Sequence, residues 1–152
     1  MTLVERAGAS ASEALLAIRA QIAAAASNGT WTTGWPRRED SIAGVRCLRF
    51  APQGTLRGRV VHAHGGGFRM GAPETVEPYA VALVRACGVE VICPAYRLAP
   101  EAPFPAGLND CLAVASAVAA WDDLPLVLAG DSPGVAWPRV SRWPSANCRW
   151  PA

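Results

Sequence analysis

Leu126-Val127-Leu128-Ala129-Gly130-Asp131-Ser132-Pro133-Gly134 is the stretch that decides the reading of this chain. Four apolar residues too short for a helix lead into a serine set between two glycines. That pattern belongs to a strand that turns sharply into a helix and lifts a serine hydroxyl at the turn as a nucleophile. Upstream, a second short strand, Gly58 to His64, runs into another glycine-rich turn, Gly65-Gly66-Gly67-Phe68. Residues without side chains let backbone N–H groups come close to an oxygen that is acquiring negative charge.

The intervening sequence connects the two turns in a regular way. Pro73 to Cys87 carries Val76, Tyr79, Ala80, Leu83 and Val84 at helical spacing, and Gly88 stands where a C-terminal glycine cap belongs. Val89 to Pro94 is β-branched and short, a strand. A proline-dense loop, Pro100 to Pro105, precedes a helix over Ala106 to Trp121 with Leu108, Leu112, Ala115 and Val118 inward. Strand, helix, strand, helix, strand at this spacing predicts an α/β fold with a mostly parallel sheet and helices on both faces. Sites in such folds sit at the carboxyl ends of strands, where both glycine turns fall.

Ahead of this core, Ser10 to Ser27 reads as a helix, capped by Ser10 or Ser12, with Leu15, Leu16, Ile18 and Ile22 broadly on one face. Asn28 to Asp40 reads as a polar connection and Ile42 to Phe50 as one early strand, closed by Pro52-Gln53-Gly54. Glu5, Glu13 and Arg19 argue against a signal peptide, and no segment reaches transmembrane length. Net charge is +2 in 152 residues, which gives no reason to expect nucleic acid or a membrane surface as partner. The five cysteines, Cys47, Cys87, Cys93, Cys111 and Cys148, are odd in number and form no Cys-x-x-Cys, so reduced, buried thiols in a cytoplasmic protein are expected. His62 and His64 could face one way along a strand, but two ligands without a third make a poor metal site.

Three blocks together resemble the hormone-sensitive-lipase-like branch of the α/β-hydrolases: His64-Gly65-Gly66-Gly67-Phe68, then Tyr96-Arg97-Leu98-Ala99-Pro100-Glu101 with Phe104-Pro105-Ala106, then Gly130-Asp131-Ser132. The resemblance covers roughly residues 40 to 132 and implies the N-terminal part of an α/β-hydrolase fold. It implies a carboxylic-ester hydrolase that works through a serine acyl-enzyme on a small-molecule ester, with no metal or cofactor. Ser132 would be the nucleophile, and Gly66 and Gly67 the oxyanion donors, with Gly65 and His64 shaping their loop. Gly130 and Asp131 would hold the elbow, while Tyr96, Arg97 and Glu101 would be structural, a buried arginine–carboxylate pair pinning a loop. The catalytic histidine of this family follows the serine and the acid in the chain, so neither His62 nor His64 is its counterpart. The same motifs leave open an amide or peptide hydrolase of this fold.

The pattern breaks at Pro133, where the family has a small residue whose N–H is a further oxyanion donor; proline has none. Residues 133–152 contain three Trp-Pro pairs and three arginines but no Asp, Glu or His. One restored base before the Pro133 codon would turn every Trp-Pro pair into Leu, Met or Val followed by Ala, so a frameshift is expected there; the alternative is a natural disordered basic tail. The chain thus divides into an N-terminal helical, cap-like segment (1–39), a partial α/β-hydrolase core (40–132) and an aberrant tail (133–152). It is expected to be inactive for lack of the triad acid and histidine; the alternative is a non-catalytic binding remnant of the same fold. Strand Leu126 to Ala129 would leave an apolar sheet edge through which copies could associate.

Overall fold

The structure, a computed structural model, describes the backbone of residues 3–132 and the side chains of residues 11–132. The expectations for residues 133–152, including Pro133 and Cys148, lie outside the described residues. The elements are α1 (Leu3–Ser27), β1 (Arg37–Ile42), β2 (Val45–Phe50), β3 (Arg59–Ala63), α2 (Glu77–Cys87, after a 3-10 turn over Pro73–Val76), β4 (Glu90–Pro94), α3 (Ala106–Ala119) and β5 (Leu126–Gly130).

The five strands form one mixed sheet in the order β1-β2-β4-β3-β5. β4, β3 and β5 run parallel, while β2 is antiparallel to both β1 and β4. Every residue of β3 and β4 is buried, because helices cover both faces. On one face Val76, Ala80, Val81 and Val84 pack on Leu48, Phe50, Val60, Val91 and Cys93. On the other, Val114, Ala115 and Val118 of α3 pack on Val61, Ile92 and Cys47. Val60 and Val61, adjacent in sequence, serve opposite layers, as the period of a strand requires.

Gly88 caps α2 at φ 66°, its N–H donating to the Val84 carbonyl, where a side chain would be strained. Several expectations need correction. Ile42 to Phe50 is not one strand: Ala43 and Gly44, at φ 51° and 79°, turn the chain into a hairpin, and β1 begins at Arg37 within the expected connection. The run Arg37-Arg38-Glu39-Asp40 has no apolar alternation because its side chains are exposed. Cross-strand pairs join it to β2: Glu39 with Arg46 at 2.8 Å and Asp40 with Arg49 at 2.6 Å.

The first helix is longer than expected and runs through Ser10 and Ser12 instead of starting at them, its alanine-rich sequence favouring continuation. Of its four apolar residues, Leu15 is buried and Ile22 half-buried, whereas Leu16 and Ile18 are exposed. In α2, Tyr79 is half-exposed and Val81 takes the inward place. Among the cysteines, Cys47, Cys93 and Cys111 are buried free thiols, but Cys87 is exposed at the end of α2.

Candidate active site

Both glycine turns lie at the carboxyl ends of neighbouring strands. β3 and β5 pair in register, Ala63 opposite Gly130, and the Asp131 N–H donates to the Ala63 carbonyl at 3.1 Å. The chain then bends abruptly: Ser132 has φ 53°, an unusual conformation for a residue with a side chain. A β-carbon built on Gly65 would lie 3.4 Å from the Asp131 β-carbon and 3.6 Å from that of Ser132, so the two turns are in contact.

Gly66, Gly67 and Phe68 have φ values of 125°, 64° and 58°, three consecutive residues in the left-handed half of the map. Gly66 closes the turn, its carbonyl accepting from the Arg69 and Met70 N–H groups at 3.2 and 3.0 Å. A β-carbon on Gly66 would overlap the Met70 carbonyl. The Gly66 and Gly67 N–H groups donate to no protein acceptor among the described residues.

His64 lies beneath this loop, 1% exposed. Its Nδ1 donates to the Gly65 carbonyl at 2.8 Å, its ring stacks on Tyr96 at 4.1 Å, and the Tyr96 hydroxyl donates to its carbonyl at 2.7 Å. Those bonds use His64 as a scaffold. Gly71 was not legible as part of the site. It sits at φ 100°, and a β-carbon there would overlap both His64 Nδ1 and the Gly65 carbonyl. Its only sequence signal was another glycine just past the triplet.

His62 is equally buried and reaches the elbow from β3, its Nε2 3.7 Å from Asp131 Oδ1, too long for a hydrogen bond. The Asp131 side chain itself is 56% exposed. Among the described residues no group of three or more His, Cys, Asp or Glu side chains is arranged to hold a metal.

The expected arginine–carboxylate pair exists with other partners. Arg97 does not pair with Glu101; its backbone N–H, Nε and Nη2 donate to Asp110 of α3 at 2.9, 2.9 and 2.7 Å. The arginine of that pair is mostly exposed and the carboxylate is buried, so the pair is not buried as a whole. Glu101 instead receives Arg19 of α1 at 2.8 Å. An apolar cavity of about 280 Å³ opens beside the glycine loop, lined by Gly67, Phe68, Arg69, Ala99, Phe104 and Leu108 among others.

Burial pushes the His62 and His64 pKa values below 6.5, outweighing the pull of Asp131 on His62. Burial alone would raise the Asp110 carboxyl, but the Arg97 guanidinium and amide hold it below the usual range. Arg46 lowers Glu39 in the same way. All four groups release protons more readily folded than unfolded, so each contributes stability at higher pH and loses it as pH falls. The urea midpoint is expected to decline first below pH about 6.5, as the histidines would charge on unfolding, and further below about 4. A midpoint unchanged between pH 8 and pH 5 would remove the histidine contribution.

Comparison with known proteins agrees with this geometry. The profile of an α/β-hydrolase-fold family matches residues 60–136, which takes in both turns. The chain is 44% identical over 66 residues to hormone-sensitive lipase of Bos taurus, covering 42% of this chain and 9% of that protein. It is 38% identical over 81 residues to carboxylesterase NlhH of Mycobacterium tuberculosis, covering 49% and 25%. An esterase from the archaeon Pyrobaculum calidifontis superposes with a TM-score of 0.69 at 30% identity, over 79% of this chain and 44% of that one. A hormone-sensitive lipase from a metagenome library does so with a TM-score of 0.70 at 32% identity, over 79% and 41%. The chain thus spans about a tenth to a quarter of these curated relatives, and less than half of these solved structures. It belongs to the α/β-hydrolase family. Within that family it falls with the hormone-sensitive-lipase-like group, whose members here are esterase- and lipase-type hydrolases.

Proposed function

We propose that this chain carries the nucleophile and oxyanion loop of a carboxylic-ester hydrolase. The observation that carries the reading is Ser132 at φ 53° in contact with a loop whose Gly66 and Gly67 amides have no protein acceptor among the described residues. Ser132 Oγ attacks the ester carbonyl, the Gly66 and Gly67 N–H groups hold the resulting oxyanion, and the alkoxide leaves to give an acyl-enzyme that water hydrolyses. Gly65 and His64 set the loop, and Gly130 and Asp131 set the elbow. A base must take the Ser132 proton and return it to the leaving group. Residues 133–152 hold no His, Asp or Glu to do so, and Pro133 brings no N–H to the oxyanion.

These 152 residues by themselves are therefore proposed to be inactive. A missing oxyanion donor costs about 10²–10³ in kcat, and a missing base in a serine-protease comparison about 10⁶. The test begins with sequencing the gene from the Ser132 codon onward and assaying both the 152-residue chain and any restored-frame product on p-nitrophenyl butyrate. Expected are no turnover by the chain above its Ser132→Ala variant, and Ser132-dependent turnover by the restored product. A restored product without Ser132-dependent turnover would favour the second reading, a non-catalytic binding remnant. The lack of an N–H at Pro133 supports that reading.

Residues 1–39 are proposed as a cap-like segment. Three buried free thiols support a cytoplasmic location, and no helix among the described residues is long and apolar enough to cross a membrane. Association between copies is proposed through β5, which pairs only with β3 among the described residues and exposes Val127. Sedimentation velocity is expected to show concentration-dependent association, reduced in Val127→Lys; a monomer at all concentrations would remove this proposal.

A further inference from the structure

The helix α1 buries little: Leu15 is its one buried apolar residue among those whose side chains are described, while Leu16 and Ile18 face solvent. What joins it to the candidate site is Arg19. Its Nε donates to the Arg69 carbonyl at 2.6 Å, its Nη2 to the Ala99 carbonyl, and its Nη1 to Glu101 Oε1 at 2.8 Å. The first two acceptors lie on different loops. Arg69 ends the turn that begins at Gly66, and Ala99 lies in the loop after Tyr96; the Ala99 N–H also donates to the Phe68 carbonyl at 2.9 Å. Both residues line the cavity beside Gly67.

Three consecutive positive-φ residues, Gly66 to Phe68, are held in place only if their surroundings over-determine them. A planar guanidinium with five donors can span two carbonyls and a carboxylate at once, which an ammonium at one point in space cannot. We infer that Arg19 is a positioning residue: it clamps the glycine loop to the Ala99 loop and so sets the direction of the Gly66 and Gly67 amides and the walls of the cavity beside them. The inference rests on the ester-hydrolase reading for its meaning, since those amides are the proposed oxyanion donors. It also makes α1 part of the site.

The experiment is hydrogen exchange on the full 152-residue chain, followed in peptides covering 65–71 and 97–104 and, as references, 45–50, 90–94 and 106–119. Arg19→Ala is expected to speed exchange about tenfold or more in the two loops while the references stay within about twofold. Arg19→Lys should recover part of the protection, because one donor group can still reach one carbonyl. Glu101→Gln should leave 65–71 unchanged, because both carbonyl contacts remain. Loops unchanged in Arg19→Ala, or all peptides accelerated alike, would overturn the inference. Should Arg19→Ala fail to fold, Arg19→Lys decides: selective acceleration of 65–71 supports the clamp, and none overturns it. Because exchange needs no turnover, a restored product without esterase activity would remove the ester reading and leave the hold of Arg19 on the loop standing.

Discussion

Gly66→Ala is expected to destabilise the protein by about 2–4 kcal/mol, whereas Gly67→Ala should cost about 1–2. Both glycines have positive φ, 125° and 64°, so an L-residue at either is strained. Position 67 has no neighbouring atom within 4 Å of a built β-carbon and sits in the left-handed region that L-residues can enter. Position 66 lies outside that region, and its β-carbon would overlap the Met70 carbonyl. That carbonyl belongs to the backbone and cannot swing aside as a side chain would. Relief would require opening the turn that the Arg69 and Met70 N–H groups close on the Gly66 carbonyl, which carries the proposed oxyanion donors with it. Urea unfolding of both variants measures the difference. Equal midpoints would mean that backbone conformation, and not close approach, is what requires glycine at 66.

The second large effect concerns the opposite end of the sheet. Glu90, 3% exposed at the start of β4, lies between two arginines: Oε1 accepts from Arg49 at 2.6 Å and Oε2 from Arg59 at 3.0 Å. Arg49 reaches on to Asp40, Arg59 to Asp122, and both guanidinium groups lie over the Trp121 ring at 4.8 and 5.2 Å. Glu90→Ala would leave two largely buried cations facing one another with one partner each. Breaking a buried pair from one side costs about 3–5 kcal/mol, and the outer carboxylates reduce the expected loss to about 2–4. Glu90→Gln retains the hydrogen-bond acceptor and should lose about half as much. Thermal or urea unfolding reads both; an alanine variant within about 0.5 kcal/mol of the parent would show that water replaces Glu90 without loss.

Legibility in the sequence followed the range of the interactions. β3, β4 and β5 were visible because each is a short stretch rich in apolar residues whatever lies beside it, and the cap at Gly88 was visible because it is completed within one turn of helix. β1 was not. Arg37 to Asp40 becomes a strand through pairs with Arg46 and Arg49 across the hairpin, and a charged run alone has no period to show this. The site divides in the same way. That Ser132 and the glycine triplet stand at strand ends could be read from local pattern, whereas the need for glycine at Gly71 could not, because what forbids a side chain there is His64 and Gly65 folded back against it.

Partner choice was the least legible part. Nothing near Arg97 in sequence distinguishes Asp110 from Glu101, and nothing near Arg19 indicates acceptors 50 to 82 residues away. The sequence by itself determined the layering, the two glycine turns and the serine within the second of them, because apolar period and glycine's freedom are properties of short segments. Only the tertiary structure decided that β3 and β5 are neighbours, that their turns touch, and which carboxylate or carbonyl each arginine holds. Those contacts form between residues far apart in the chain, and their geometry exists only once the sheet has brought them together.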